Sequence, residues 1–253
     1  MDVLKFTLKG EFAFFKKPDV NTYFYFTYNN IHKVALLGIF GAILGYGGYS
    51  QSYNSYVKDK SDYPMFYEKL RNIKLSIVPK KVNISKKVQT FNNSVGYYNK
   101  DKDKKGCNLI VREQWLQNPI WDIYLKVDNE ESKKIADAII KNKFQYIPYL
   151  GKNDHFADII DVHLIKDVSK NSNANKIHSL YLKKDFKIII DDDDDDFDDD
   201  FETIFKYEEK LPISLEKETN KYEFESFVYT NNTLNKISDI EVLKIENKNI
   251  VFF

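Results

Sequence analysis

Residues 32–49 read HKVALLGIFGAILGYGGY, the most apolar stretch of a polar chain, and hold five of its nine glycines. Between Lys33 and Tyr49 the uncharged run is 15 residues, short of the ~20 that a bilayer crossing needs. No G-x-x-x-x-G-K-[ST] loop occurs, and Gly48 is followed by Tyr49, so this is no Walker phosphate loop. What remains is a core helix. Ala35, Leu36, Ile39, Phe40, Ile43 and Leu44 recur at three- and four-residue spacing and give it an apolar face. Gly38, Gly41 and Gly45 fall on the same surface. Each costs a helix up to about 1 kcal/mol relative to alanine. Three such costs imply a close neighbour, either a strand or a ligand backbone. Gly47 and Gly48 are expected to end the helix.

A chain of 253 residues forms one large domain or two small ones. Its 19 Phe and 18 Tyr argue against disorder. The single cysteine, Cys107, rules out an intramolecular disulfide and fits a reducing cytoplasm. The start, MDVLKFTLKGEF, is charged at residues 2, 5, 9 and 11 and offers no secretory segment. The expectation is a cytoplasmic protein without membrane contact. The net charge of zero hides an asymmetry. Residues 1–190 hold 31 Lys and Arg against 19 Asp and Glu, whereas residues 191–253 hold 7 against 19. A basic body suggests a polyanion, most often nucleic acid. An AT-rich coding bias accounts for abundant lysine equally well.

Alternating or clustered apolar runs predict strands at 3–8, 11–15, 73–79, 120–127 and 159–165, with 22–28 strand or extended. A short helix is expected at 66–72. A longer one, from 130 to 143, is capped by Asp128 or Asn129 with Glu130 and Glu131 at its favourable end. The order strand, helix, strand, strand, helix, strand predicts an α+β fold with a ferredoxin-like, RRM-like βαββαβ domain over 1–165. A hairpin inserted at about 85–118 and a β-rich part over 166–253 complete it. RNA-recognition modules share this topology, as do many unrelated proteins. The run DDDDDDFDDDFE, 191–202, is expected to stay extended or disordered. It lacks the spacing and glycine turn of a calcium loop, so no metal site is expected.

Four groups of residues carry candidate chemistry. Lys16 and Lys17 sit at a turn from which ammonium groups reach phosphates. His32 and Lys33 open the glycine-faced helix, where a phosphate would meet free N–H groups; His32 capping its own helix is the alternative. The stretch 92–112 interleaves Tyr97 and Tyr98 with Lys100, Lys102, Lys104, Lys105 and Arg112, the pattern of a single-strand binder that stacks bases at ~1–3 kcal/mol each. Trp115, Trp121 and Tyr124 read as core and sheet. Gly151 with Lys152 lets a backbone approach beside a cation, or forms a plain tight turn. A ribonuclease would draw its acid and base from His32, Lys33, Tyr46 and His155, but nothing in the sequence brings two of them together. Nucleophile and zinc signatures are missing, and no cofactor is expected.

The blocks LKGEFAFFKKPD, NNIHKVALLGIFGAILGYGGY, YIPYLGKNDHFADI and EEKLPISLEKETNKYEFESFVYTN occur in this order. Together they resemble the CRISPR-associated protein family five of the type I-B kind, within the RAMP superfamily. The Asp-rich run departs from that pattern as an insertion. The resemblance implies a non-catalytic subunit of the Cascade surveillance complex that caps the 5′ handle of crRNA in antiviral defence. It implies contact with the backbone subunit of family seven and the large subunit, and with target DNA indirectly. It also implies a thumb-like hairpin around 92–112 and a glycine turn at Gly151 near the RNA. In the type I-C branch the family is itself the pre-crRNA endoribonuclease, which supplies the rival expectation.

Overall fold

Strand β1 (Asp2–Lys9) buries residues of both alternating sets, Val3 and Thr7 as well as Leu4, Phe6 and Leu8, which a strand reaches only when both faces of its sheet are covered. The computed structural model describes residues 1–19, 23–51, 62–94, 108–189 and 203–253, and within them the fold is mixed α and β with mostly antiparallel sheets. β1 pairs antiparallel with β6 (Ile120–Val127) on one side and β7 (Asp158–Ile165) on the other, and β3 (Leu75–Pro79) pairs with β6. The order across this sheet is β3-β6-β1-β7.

Leu4, Phe6 and Leu8 point to one face, where Leu36, Phe40 and Ile43 of helix α1 (Lys33–Leu44) and Ile135 and Ile139 of helix α3 (Glu130–Ile140) complete the main core. A short helix, α2 (Met65–Leu70), packs beside α1. Val3 and Tyr124 point to the other face and meet Leu243, Ile245, Ile250 and Phe252. Those residues come from or adjoin the hairpin of β14 (Val242–Ile245) and β15 (Lys248–Val251), which β8 (Val168–Lys170) extends. Asp122 lies on this covered face, 2% exposed, accepting from Thr7 Oγ1 at 2.8 Å and from Lys248 Nζ at 3.4 Å. The β14–β15 layer is thus pinned by charge as well as by apolar contact.

The sheet's two edges differ. Phe253 exchanges backbone hydrogen bonds with Leu75, and Leu180 N–H bonds the Ile77 carbonyl, so the β3 edge is occupied. Among the described residues β7 has a single partner strand. It carries a bulge where Asp161 adopts φ 51° and the register slips between Lys5 and Thr7.

Beside this sheet, β4 (Lys86–Ser94) and β5 (Asn108–Gln117) pair in register from Lys86↔Leu116 to Ser94↔Asn108. Their tip, 95–107, lies outside the described residues. β2 (Phe12–Ala13) joins the other edge of β5, and Tyr25 bridges Glu113 in parallel. The expected strand at 11–15 is therefore only two residues long. Phe14 turns its N–H to the Leu150 carbonyl and Phe15 its own to Thr27 Oγ1. The segment 23–28 is extended, bridging neighbours on both sides at Thr27↔Lys16 and Tyr25↔Glu113.

The C-terminal strands include β9 (Tyr181–Leu182), β10 (Phe186–Ile188), β11 (Lys206–Leu215), β12 (Tyr222–Thr230) and β13 (Leu234–Lys236). β9, β11 and β12 form one sheet, and β10 pairs with β13. Leu211, Leu215 and Phe227 enter the same core as α1. Glu209 of β11 ties the parts together, accepting from Asn29 N–H at 2.9 Å and pairing with Lys17 at 2.7 Å.

The caps explain the helix boundaries. Asn129 and Ser132 form a reciprocal capping box at the start of α3, with Glu130 and Glu131 in its first turn. His32 caps α1, its Nδ1 accepting from Ala35 N–H at 3.2 Å. Gly45, rather than Gly47 or Gly48, ends that helix. Its φ is 76°, and the next N–H, of Tyr46, bonds the Gly41 carbonyl at 2.8 Å.

The glycines of α1 separate in their roles. A Cβ at Gly41 would lie 2.5 Å from Phe66 Cβ of α2, whereas one at Gly38 would meet nothing within 4 Å. In urea unfolding, Gly38→Ala is expected to gain up to about 1 kcal/mol, and Gly41→Ala to lose about 1–3 kcal/mol by overpacking. His32 supplies a pH dependence. Burial lowers its pKa from 6.5 to about 3, so between those values the unfolded chain binds a proton that the folded one refuses. Stability from this group is complete above pH 6.5 and is lost as pH falls toward 3. His32→Asn keeps a capping oxygen, and its urea midpoint is expected to fall less steeply across that window.

Candidate nucleic-acid interface

A cleft of about 860 Å³ opens along the side of α1 that faces away from the sheet. Ala35, Gly38 and Ala42, spaced by three and four residues, give its floor a row of small side chains. One wall is the segment Phe14 to Lys16. The opposite wall is the α3–β7 connection, which contributes Tyr146, Tyr149, Gly151 and Lys152. Tyr222 of β12 and Glu113 of β5 reach in from the remaining sides.

Gly38 is the one glycine of the expected smooth face that serves the cleft. Gly41 is taken up by Phe66, and Gly45 by its capping turn, where a Cβ would stand 2.8 Å from Gln145 Cγ. Gly151 is required twice over. Its φ is 87°, and a Cβ there would collide with the Phe14 carbonyl oxygen. It thereby holds the two walls together at their closest approach.

The expected cations divide. Lys16 is exposed at the rim, its Nζ 3.8 Å from the centre of the Tyr25 ring. Lys152 lines the cleft but is tied to Glu113 Oε2 at 2.9 Å and lies over Trp115 and Phe91 at 5.3 and 5.0 Å. Lys17 turns inward to Glu209. Lys33 is buried in the first turn of α1, outside the cleft, and burial followed by the neighbouring Lys74 brings its ammonium down to about 8. Strand alternation sets Arg112 on the face of β5 opposite Glu113, away from the cleft. Tyr97, Tyr98, Lys100, Lys102, Lys104 and Lys105 lie outside the described residues, as does the Asp-rich run.

Of the four residues considered for acid–base chemistry, His32 and Tyr46 line the cleft, and Lys33 and His155 do not. His32 borders the cleft, but its Nδ1 is engaged in the helix cap and its ring packs between Tyr28 and Tyr222, each 5.4 Å away. Burial holds it neutral near pH 7. It supplies no positive charge to a phosphate at the helix start. Tyr46 lines the cleft and donates to Glu131 Oε2 at 2.6 Å; burial, then this bond, raises its pKa. His155 is 4% exposed and stacks edge-on against Trp115 at 4.4 Å, behind the wall rather than in the cleft. Burial lowers its pKa. Trp121 and Tyr124 are fully buried, as their strand pattern implies.

Tyr146, Tyr149, Tyr222 and Glu113 were not singled out in the sequence. The signal for the first two was present, since YIPYLG places aromatics around a proline turn beside Gly151. Tyr146 is 60% exposed and Tyr149 43%, which is more than packing requires of a tyrosine. Among the described residues no cluster of three or more His, Cys, Asp or Glu is arranged to hold a metal, and no helix is long and apolar enough to cross a membrane.

No protein-family model matches the chain, and no curated protein matches it in sequence. Among solved structures it is similar to a CRISPR protein from Archaeoglobus fulgidus, with 9% identity over 99% of both chains and a TM-score of 0.46. It is also similar to another Cas protein, with 8% identity over 91% of this chain and 95% of that one and a TM-score of 0.47. A chain of a CRISPR RNA-guided surveillance complex matches with a TM-score of 0.51, at 12% identity over 91% of each chain. That last likeness is one of fold, and it extends over nearly the whole of both molecules.

Proposed function

We propose that this chain is a non-catalytic RNA-binding subunit of a CRISPR effector complex. More narrowly, we read it as the family-five subunit of a type I-B Cascade that holds the 5′ handle of crRNA. Its neighbours would be the family-seven backbone subunit and the large subunit, with target DNA reached indirectly and the cytoplasm as its compartment. In that reading β1-α1-β3-β6-α3-β7 is a ferredoxin-like domain over 1–165, with β4–β5 as its inserted hairpin and 166–253 as a β-rich addition.

The observation that carries the reading is the cleft. It joins a small-residue floor at Gly38, exposed tyrosines at 146 and 149, and Lys16 at the rim. Stacking surfaces beside a cation are what single-stranded RNA requires. The four sequence blocks and the shared fold support the same reading. An RNA-recognition module stacks bases on its open sheet face. Here β14 and β15 cover that face, which favours the cleft as the place for RNA. The cap role of His32 and the burial of His155 behind Trp115 favour binding over cutting.

Because Gly38 faces open space, Gly38→Leu fills the cleft without disturbing the core. Incubated with a crRNA carrying its 5′ handle, the purified chain is expected to retard the RNA on a gel, less so at higher salt. Gly38→Leu and Lys16→Glu are each expected to weaken this by roughly tenfold while melting like the wild type. Precursor RNA incubated without metal is expected to stay intact. Discrete cuts would overturn the non-catalytic assignment, and unchanged binding by Gly38→Leu would remove RNA from the cleft.

A further inference from the structure

Glu113 is an unusual residue to find in the lining of a cleft meant for a polyanion. It is 8% exposed, sits mid-strand on β5, and lines the cavity. Its Oε2 is fully engaged, accepting from Trp115 Nε1 at 2.8 Å and from Lys152 Nζ at 2.9 Å. Its Oε1 accepts no hydrogen bond among the described residues. That oxygen is not sealed off from solvent, so it remains an available acceptor on a residue that lines the cleft.

The surroundings narrow what that something is. Glu113 cancels the charge of Lys152, so the inner cleft offers a phosphate no net attraction, and Oε1 repels it. Lys16 at the rim is an exposed cation within reach of a phosphate. The inner part is bounded by tyrosine rings and small apolar side chains, which suits the flat body of a base. Resting on the RNA reading above, we propose that an unpaired base enters with its Watson–Crick edge toward Glu113, and that Oε1 selects a base carrying an exocyclic amino group. Cytosine offers N4–H₂ to such an acceptor, as adenine offers N6–H₂. Uracil puts O4 in the same place, and two lone-pair-bearing atoms then face each other. The Trp115 and Lys152 bonds fix the carboxylate so that it cannot turn away. Glu113 is in this sense a specificity-determining residue rather than an anchor.

Cytosine and uracil have the same ring size, so the test uses two labelled single-stranded RNA probes of equal length, oligo-C and oligo-U, with the full chain. The wild type is expected to bind oligo-C roughly tenfold more tightly, the low end of a well-made base contact. Glu113→Gln, which can donate to uracil O4, is expected to bring the two affinities together. Lys152→Met leaves the Trp115 bond to hold the Glu113 carboxylate in place and is expected to retain the preference, which separates Oε1 from the ion pair. Equal wild-type affinities for the two probes would overturn the proposal and leave RNA binding standing. So would a Glu113→Gln variant that weakens both probes equally and keeps their ratio. Failure to bind either probe would instead count against the RNA reading itself. The wild-type ratio decides the matter even if Glu113→Gln does not fold.

Discussion

The molecule depends on β1 being buried on both faces. A central antiparallel strand with one face open reads as an apolar–polar alternation. DVLKFTLK instead buries Val3 and Thr7 as well as Leu4, Phe6 and Leu8. Helices α1 and α3 close one face, and chain from the far end of the sequence closes the other. The pairs involved are as distant as Val3 and Phe252, so the fold is complete only when both ends have come together. With both sheet faces committed, concave surface is left beside α1 and the connection from α3 to β7.

The charge pattern follows from that closure. Nucleic-acid binding was suggested by a lysine excess, yet several of those lysines are spent on the fold. Lys17 is committed to Glu209, Lys152 to Glu113, and Lys33 is enclosed by the helix packing. An ion pair with a buried carboxylate costs desolvation and is kept where it fixes geometry. Both pairs do so. Glu209 fastens the turn before α1 to β11, and Glu113 fastens the cleft wall to the β4–β5 hairpin.

Much of the local structure was legible beforehand because it rests on short-range rules. The apolar run of α1, the cap and acidic first turn of α3, and the strands at 3–8, 73–79, 120–127 and 159–165 follow from periodicity and capping chemistry. What was not legible depends on distant partners. Three glycines spaced alike on one helix met a phenylalanine, a capping turn and open space, and no spacing distinguishes those outcomes. His32 had two readings, and the rings of Phe15, Tyr28 and Tyr222 around it decided for the cap. Glu113 looked like an ordinary strand residue until Lys152, 39 positions later, came back to it. Gly151 was open to two readings, an approach to a ligand backbone or a plain tight turn, and its closest neighbour is the carbonyl of Phe14.

Among the described residues no strand pairs with the outer border of β7, and the way that border is spoiled matters for a protein in crowded company. Along β7 the even ladder breaks at Asp161, whose left-handed backbone pushes an extra residue into the strand. A visiting strand needs a straight row of donors and acceptors at regular intervals, and such a kink denies it that row. Uncontrolled growth of the sheet from copy to copy is discouraged by this single misfit. At this border an ordered contact is built through side-chain surfaces, which can discriminate between neighbours, rather than through bare backbone, which cannot.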